Sequence, residues 1–453
     1  MRVNTAAVAQ TVNHEGTVVK RLSPEQELRR TAMTCMLWED SFYESGEDAA
    51  TRITALVKKV GFDLTASLAI EAREKMKLRH VPLLLARECS RMQAGRKMGD
   101  LLAKIIQRPD ELTEFLALYW KEGKKPLAKQ VKIGLARALR KFNEYSLAKY
   151  NRKNTVKLRD VLFLSHAKPR DAEQEVLWKK LIAGKLATPD TWEDALSGGA
   201  DKREVFTRLI TEGTLGALAM LRNLRNMIEA KVDDAVIRKG LADMKVERVL
   251  PFRFISAAKY APRFEPELEQ AMFRCVDGAT KLPGRTALVV DTSPSMWMAK
   301  VSARSEMDRF EAAAALAILA REVCDDIRIY AFNERGYEVA PRRGFALRDA
   351  LYKTKGIASC GGYAVQMAND AGYDRIIVLT DGQWHYSKPG ATSGWIERAG
   401  EATQVSPAPL TDKAYMLNVA TLKNGVGYGK WTSIDGWSEA VIDYIRASET
   451  IAP

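Results

Sequence analysis

Cysteine and histidine are scarce in this chain of 453 residues, with five of the first and four of the second. Cys35, Cys89, Cys275, Cys324 and Cys360 are odd in number, and no two of them form a C-x-x-C pair. That excludes a disulfide scaffold and a cysteine-based zinc site, and it suits a reducing cytoplasm. No two histidines stand at ligand spacing, so a histidine-rich metal centre is not expected either. Long apolar runs are also missing. No stretch approaches the roughly 18–20 residues that a bilayer crossing needs, so no membrane role is expected. Residues Met1 to Glu15 lack the basic, apolar and small-residue succession of an export signal. What remains, 46% hydrophobic and 28% charged, is the composition of a folded protein. The length leaves room for two or three domains, each with its own core.

Charge is present in excess and unevenly placed. The 70 Lys+Arg against 57 Asp+Glu give +13. Residues 1–284 hold 51 basic and 37 acidic side chains, whereas residues 285–453 hold 19 and 20. Residues 51–180 alone hold 30 and 14, a net +16. Such a field attracts polyanions, RNA or DNA above all, unless it serves only as a solubilising helical surface.

From about Glu25 to Arg274 the apolar residues recur at helical spacing, as in Ile53-Leu56-Val57-Val60 and Leu112-Phe115-Leu116-Tyr119. Breakers such as Gly61, Pro82, Pro109, Pro126, Pro189 and Pro251 interrupt the pattern at helix-length intervals. Asp63 and Thr188 are plausible N-caps. Serial helices with short joints imply helical hairpins stacked as a solenoid. After Leu282-Pro283-Gly284 the rhythm changes. Apolar runs at Thr286–Val290, Ile327–Phe332, Arg375–Leu379 and Tyr415–Val419 read as buried parallel strands. Helices are expected between them, near 306–323, 347–353 and 364–371, and one near 438–446 closes the chain. The fold class is therefore mainly α with a doubly wound α/β domain, divided into residues 1–284 and 285–453.

Asp291-Thr292-Ser293-Pro294-Ser295 stands where the first strand should end, and Asp381 ends a later one. Asp291, Ser293, Ser295 and Asp381 together offer the oxygen ligands that Mg²⁺ or another hard divalent cation prefers. This arrangement resembles the metal-ion-dependent adhesion site of von Willebrand factor A domains. That resemblance calls for a Thr from an intervening loop, where the matching stretch Gly361-Gly362-Tyr363 carries a Tyr. The site is thus either a weakened metal site or an inherited loop without metal. His385, the nearest histidine in sequence, has no evident catalytic partner, so no hydrolytic activity is expected.

Lys149, Arg152, Lys153, Lys157 and Arg159 crowd one short stretch that runs into Leu164-Ser165-His166-Ala167-Lys168-Pro169. Two further segments follow, Gly216–Met227 with its A-L-A-M-L-R-N-L run, and Arg248-Val249-Leu250-Pro251-Phe252 ahead of Ala258-Lys259-Tyr260. These three motifs, in this order and ahead of an A-like domain, resemble the Ro autoantigen family of TROVE-domain RNA-binding proteins. The resemblance covers roughly residues 20–453. It implies a ring of HEAT-like helical repeats closed by the A domain, complete within one chain and so expected as a monomer. It also implies Y-like noncoding RNA on the outer surface and 3′ ends of misfolded RNA in the central hole. Polynucleotide phosphorylase or another exoribonuclease is an implied partner, RNA quality control or processing the implied role, and the protein itself is expected not to be an enzyme.

By this resemblance Lys149, Lys153 and His166 fall on the positions that contact Y RNA, with Arg152 and Lys157 beside them. Lysines neutralise phosphates, and a histidine can hydrogen-bond to or stack on RNA. His166 can also be read as a local capping residue ahead of a Lys-Pro turn. Arg137, Arg140 and Lys141 recur at helical spacing and are candidates for a face toward the hole. A different reading makes the protein a metal-dependent interaction scaffold whose basic helices bind an acidic protein.

Overall fold

The computed structural model describes residues 22–34, 46–92, 94–151, 155–247, 249–301, 306–357, 359, 361–382, 408–419, 430–435 and 441–450. They form two compact units, one of residues 24–33 and 47–215, the other containing everything described from Gly216 onward.

The first unit opens with α1 (Pro24–Thr34), α2 (Gly46–Val60), α3 (Phe62–Glu74), α4 (His80–Cys89), α5 (Lys97–Ile105) and α6 (Pro109–Tyr119). It continues through α7 (Lys129–Leu139), α8 (Glu144–Tyr150), α9 (Leu158–Ser165), α10 (Ala172–Ala183), α11 (Trp192–Ser197) and α12 (Lys202–Thr211). Helices alternate between two layers. α3, α5, α7 and α9 pack in series, and α4, α6, α8 and α10 pack in a second series alongside. That is the solenoid of hairpins expected from the sequence. Leu85, Leu102, Leu112, Phe115, Leu116, Leu135 and Val161 are wholly buried and form its core. Pro109 starts α6 at its first position, where a missing N–H costs nothing. The N-cap expectations fared worse. Asp63 lies inside α3, with Gly61 at the cap, and Thr191 rather than Thr188 caps α11 by accepting from the Asp194 N–H.

Two glycines let α5 and α7 touch. A Cβ on Gly134 of α7 would lie 2.7 Å from Leu102 Cβ and 2.9 Å from the Gly99 carbonyl of α5. One buried ion pair ties the next layer. Arg73 of α3 donates to Glu111 at 2.5 Å and to the Ile105 and Leu78 carbonyls, while Glu111 accepts the Gln107 and Arg108 N–H groups at the start of α6.

The second unit begins with α13 (Ala217–Glu229), α14 (Asp234–Asp243), α15 (Pro251–Tyr260) and α16 (Glu265–Val276). A sheet then alternates with helices: β1 (Leu282–Asp291), α17 (Pro294–Met298), α18 (Arg309–Val323), β2 (Cys324–Phe332), β3 (Gly336–Glu338), α19 (Gly344–Tyr352) and α20 (Gly362–Asp370). The chain continues with β4 (Arg375–Thr380), β5 (Ala414–Asn418), β6 (Thr432–Asp435) and α21 (Val441–Thr450). Among the described residues the strand order is β3-β2-β1-β4-β5-β6, with only β3 antiparallel. The chain reverses direction across the sheet between β1 and β4, so the crevice at their carboxyl ends is the topological switch point.

The four expected strands are present within a few residues, whereas β3, β6 and α17 were not foreseen; they are too short to show a period. The change from helices to α/β falls at Leu282, as the rhythm indicated. The compact unit nonetheless reaches back to Gly216, because α15 and α16 pack on α18 and α19. Lys259 pairs with Glu311 at 3.0 Å, and Glu269 accepts the Phe345 N–H at 2.7 Å.

Candidate functional site

His166 stands at the end of α9. Its backbone adopts φ 52°, ψ 40°, a left-handed conformation that terminates the helix, and the Ala167 N–H returns to the Leu162 carbonyl at 3.2 Å. The residue therefore does cap, and its ring is still exposed. Because α7 packs on α9, the Lys132 ammonium comes within 3.4 Å of His166 Nε2. Lys132 was not among the residues singled out from the sequence. It lies 34 positions away, and only the packing of the two helices joins them.

Exposed aromatic rings occur in the same stretch of chain. Phe163, one turn before His166 on α9, is 55% exposed, and Tyr145 on α8 is 49% exposed. Lys149, one turn after Tyr145, holds its ammonium 5.6 Å from that ring centre. The Arg108 guanidinium stacks at 4.5 Å on Tyr150. Lys157 is exposed at the N-cap of α9, where its N–H donates to Asp160. Arg152 and Lys153 lie outside the described residues.

The remaining three basic candidates are held by the scaffold. Arg137 pairs with Asp100 of α5. Arg140 donates from Nε to the Lys168 carbonyl at 3.0 Å. Lys141 reaches the Ala103 and Ile106 carbonyls at the end of α5, and burial holds its ammonium below the usual lysine range. Helical spacing alone could not reveal these ties, since each partner comes from a different helix or joint.

A second cluster occupies the switch point of the sheet. Asp291 is fully buried at the end of β1, and its Oδ1 accepts the Ser293 N–H at 2.9 Å. Its Oδ2 accepts the Thr380 hydroxyl at 2.8 Å and the Ser359 hydroxyl at 3.3 Å. The Ser293 and Ser295 hydroxyl oxygens are 3.3 Å apart. Burial, followed by the charge of nearby Asp381, pushes the Asp291 carboxyl up to about 7. Ser359 is thus a hydroxyl from the loop where Tyr363 made one look missing. Asp381, also fully buried, accepts a bond from Arg309 at 2.7 Å. Arg309, Thr380 and Ser359 were missed in the sequence because no short motif joins them to Asp291. The hydroxyls and Asp291 suit a hard cation, but Asp381 does not, because a guanidinium already holds it. His385 lies outside the described residues.

A protein-family model, "TROVE domain", matches residues 172–318, from α10 into α18. This stretch is what the chain shares with the TROVE family. The matched stretch contains the Gly216–Met227 motif, where buried Asn223 donates to the Ala219 carbonyl and accepts from Asn226. His166 and Lys149 precede it. Among curated proteins, mouse "Telomerase protein component 1" is 33% identical over 121 residues, and the rat protein of that name is 31% identical over 121. Each match covers 25% of this chain and spans only 4% of the relative's length. Among solved structures, the Deinococcus radiodurans RO (RSR) protein matches with a TM-score of 0.65 at 19% identity, over 94% of this chain and 99% of that one. At that identity the likeness shows the fold alone, helical hairpins followed by a doubly wound α/β sheet.

Proposed function

We propose that this chain is a TROVE-domain RNA-binding protein of the Ro type. The observation that carries the reading is the exposed His166–Lys132 pair, on a chain segment that also carries Lys149, Lys157 and the exposed rings of Tyr145 and Phe163. It lies within the segment, 51–180, that holds a net +16. Cations interleaved with exposed aromatics suit RNA. Ammonium groups neutralise phosphates, while rings and imidazole stack on unpaired bases that a duplex would hide.

In the finer form of this reading, His166, Lys132, Lys149, Lys153 and Lys157 bind a small structured Y-like RNA. Single-stranded 3′ ends of misfolded RNA are a second ligand, delivered to polynucleotide phosphorylase or another exoribonuclease. The chain itself performs no chemistry, works in the cytoplasm and acts as a monomer. Arg137, Arg140 and Lys141 then serve as the frame that holds α5, α7 and the His166 joint in place.

The test is to purify the protein from its native cell at low salt and sequence the RNA that accompanies it. A parallel purification uses Lys149, Lys153 and His166 changed to Ala. Recovery of one abundant hairpin RNA, lost from the triple variant, is the expected result. Recovery of no RNA above background refutes the reading and favours the scaffold alternative, in which the basic helices bind an acidic protein.

A further inference from the structure

We propose that Arg309 is the built-in cation of the cluster at the ends of β1 and β4, so that the native chain holds this cluster together without a divalent metal ion. The site has the carboxylates and hydroxyls of an adhesion-type metal site, yet a guanidinium is wired into it. Arg309 Nη1 lies 2.7 Å from Asp381 Oδ2, with the two side chains 4% and 0% exposed. An arginine keeps its charge at any accessible pH. A divalent ion approaching Asp381 therefore meets a fixed positive charge in a medium that screens poorly.

Asp291 is also held without metal. Both oxygens of Asp291 already accept bonds, from the Ser293 N–H and from the Thr380 and Ser359 hydroxyls. Arg309 cannot swing away cheaply, because its side chain is buried against Asp381 and its backbone is pinned as well. It is the first residue of α18, its N–H donates to the Ala299 carbonyl at 3.0 Å, and the preceding Asp308 caps the helix by accepting the Glu311 N–H. A positive side chain at the positive end of a helix is unfavourable by itself. Asp381 is the charge that offsets it, which explains how an arginine is kept in this buried position.

The experiment uses the full chain and Mn²⁺ as the probe, with bound ion read from the loss of the free-ion paramagnetic resonance signal. The wild-type protein should take up no Mn²⁺ at this cluster. Arg309→Met, which keeps the stem and removes the charge, should bind it at least about a hundredfold more tightly. Arg309→Lys should behave as wild type, and adding Asp381→Asn to Arg309→Met should abolish the gain. Wild-type uptake within about tenfold of that of Arg309→Met overturns the proposal. If Arg309→Met does not fold, the native chain decides: saturable Mn²⁺ uptake that Ser293→Ala removes refutes the built-in cation, and its absence supports it.

Discussion

Changing Arg73 to Met should cost the helical unit about 3 kcal/mol, the low end of the range for breaking a buried ion pair. The side chains of Arg73 and Glu111 are 9% and 0% exposed. Methionine keeps most of the aliphatic volume, so the loss is mainly electrostatic. Three bonds disappear, to Glu111 and to the Ile105 and Leu78 carbonyls, and a carboxylate is left in a buried site. Two features hold the cost near the low end. Arg79 Nε remains 3.8 Å from the same Glu111 oxygen, and the Gln107 and Arg108 N–H groups still donate to the other. Glu111→Gln should also destabilise, since it strands the Arg73 charge while weakening the start of α6. The two changes share one interaction, so the double variant should fall short of the sum by about 1.5–2 kcal/mol. Urea unfolding followed by far-ultraviolet circular dichroism on the four proteins measures this. An Arg73→Met loss below about 1 kcal/mol, or additivity within about 0.5 kcal/mol, would refute the view that this pair ties α3 to α6.

Gly134→Ala should destabilise by about 1–3 kcal/mol in the same assay, because its Cβ would overlap Leu102 and the Gly99 carbonyl across the α5–α7 contact. Lys132→Ala should weaken binding of the co-purified RNA and reduce the slope of log affinity against log salt by about 0.9, as expected for one lost phosphate contact. An unchanged slope would remove Lys132 from the interface. Asp291, raised to about 7 in the folded state from an ordinary 3.8, contributes stability that is fully present below pH 4 and lost as pH rises through 7. Asp291→Asn should remove that loss, so its stability relative to wild type should rise with pH by up to about 1.4 kcal/mol per pH unit across this window. Two pH–stability curves that run parallel would contradict the buried-carboxylate assignment.

Helical periodicity and the four apolar strand runs were legible because each depends on neighbours within one element. A buried stripe at spacing 3–4, or a continuous run of five apolar residues, carries its own signature. The short edge strand β3 and the five-residue α17 carry none. Asp63 and Thr188 show the same limit at helix ends. A capping residue is defined by backbone angles that several nearby residues could adopt, and packing chose Gly61 and Thr191 instead. At the candidate sites, the motifs pointed to His166, Lys149 and the Asp291-x-Ser293-x-Ser295 run. They missed Lys132, Ser359 and Arg309, which join those residues only through packing between elements distant in sequence.

By itself, then, the sequence determined the two architectures of this protein, the excess of positive charge on its first helices, and the order of the three motifs. Each of these is a local or additive property, and tertiary contacts need not be known to read it. Only the tertiary structure decided which charges remain open to a partner and which are already used. Lys141 looks like any basic residue until the end of α5 supplies the carbonyls it caps. Asp381 looks like a metal ligand until α18 delivers Arg309 to it. The physical reason is that an ionic group acts through whatever lies within a few ångströms, and in this chain the deciding neighbours come from residues 28 to 89 positions away.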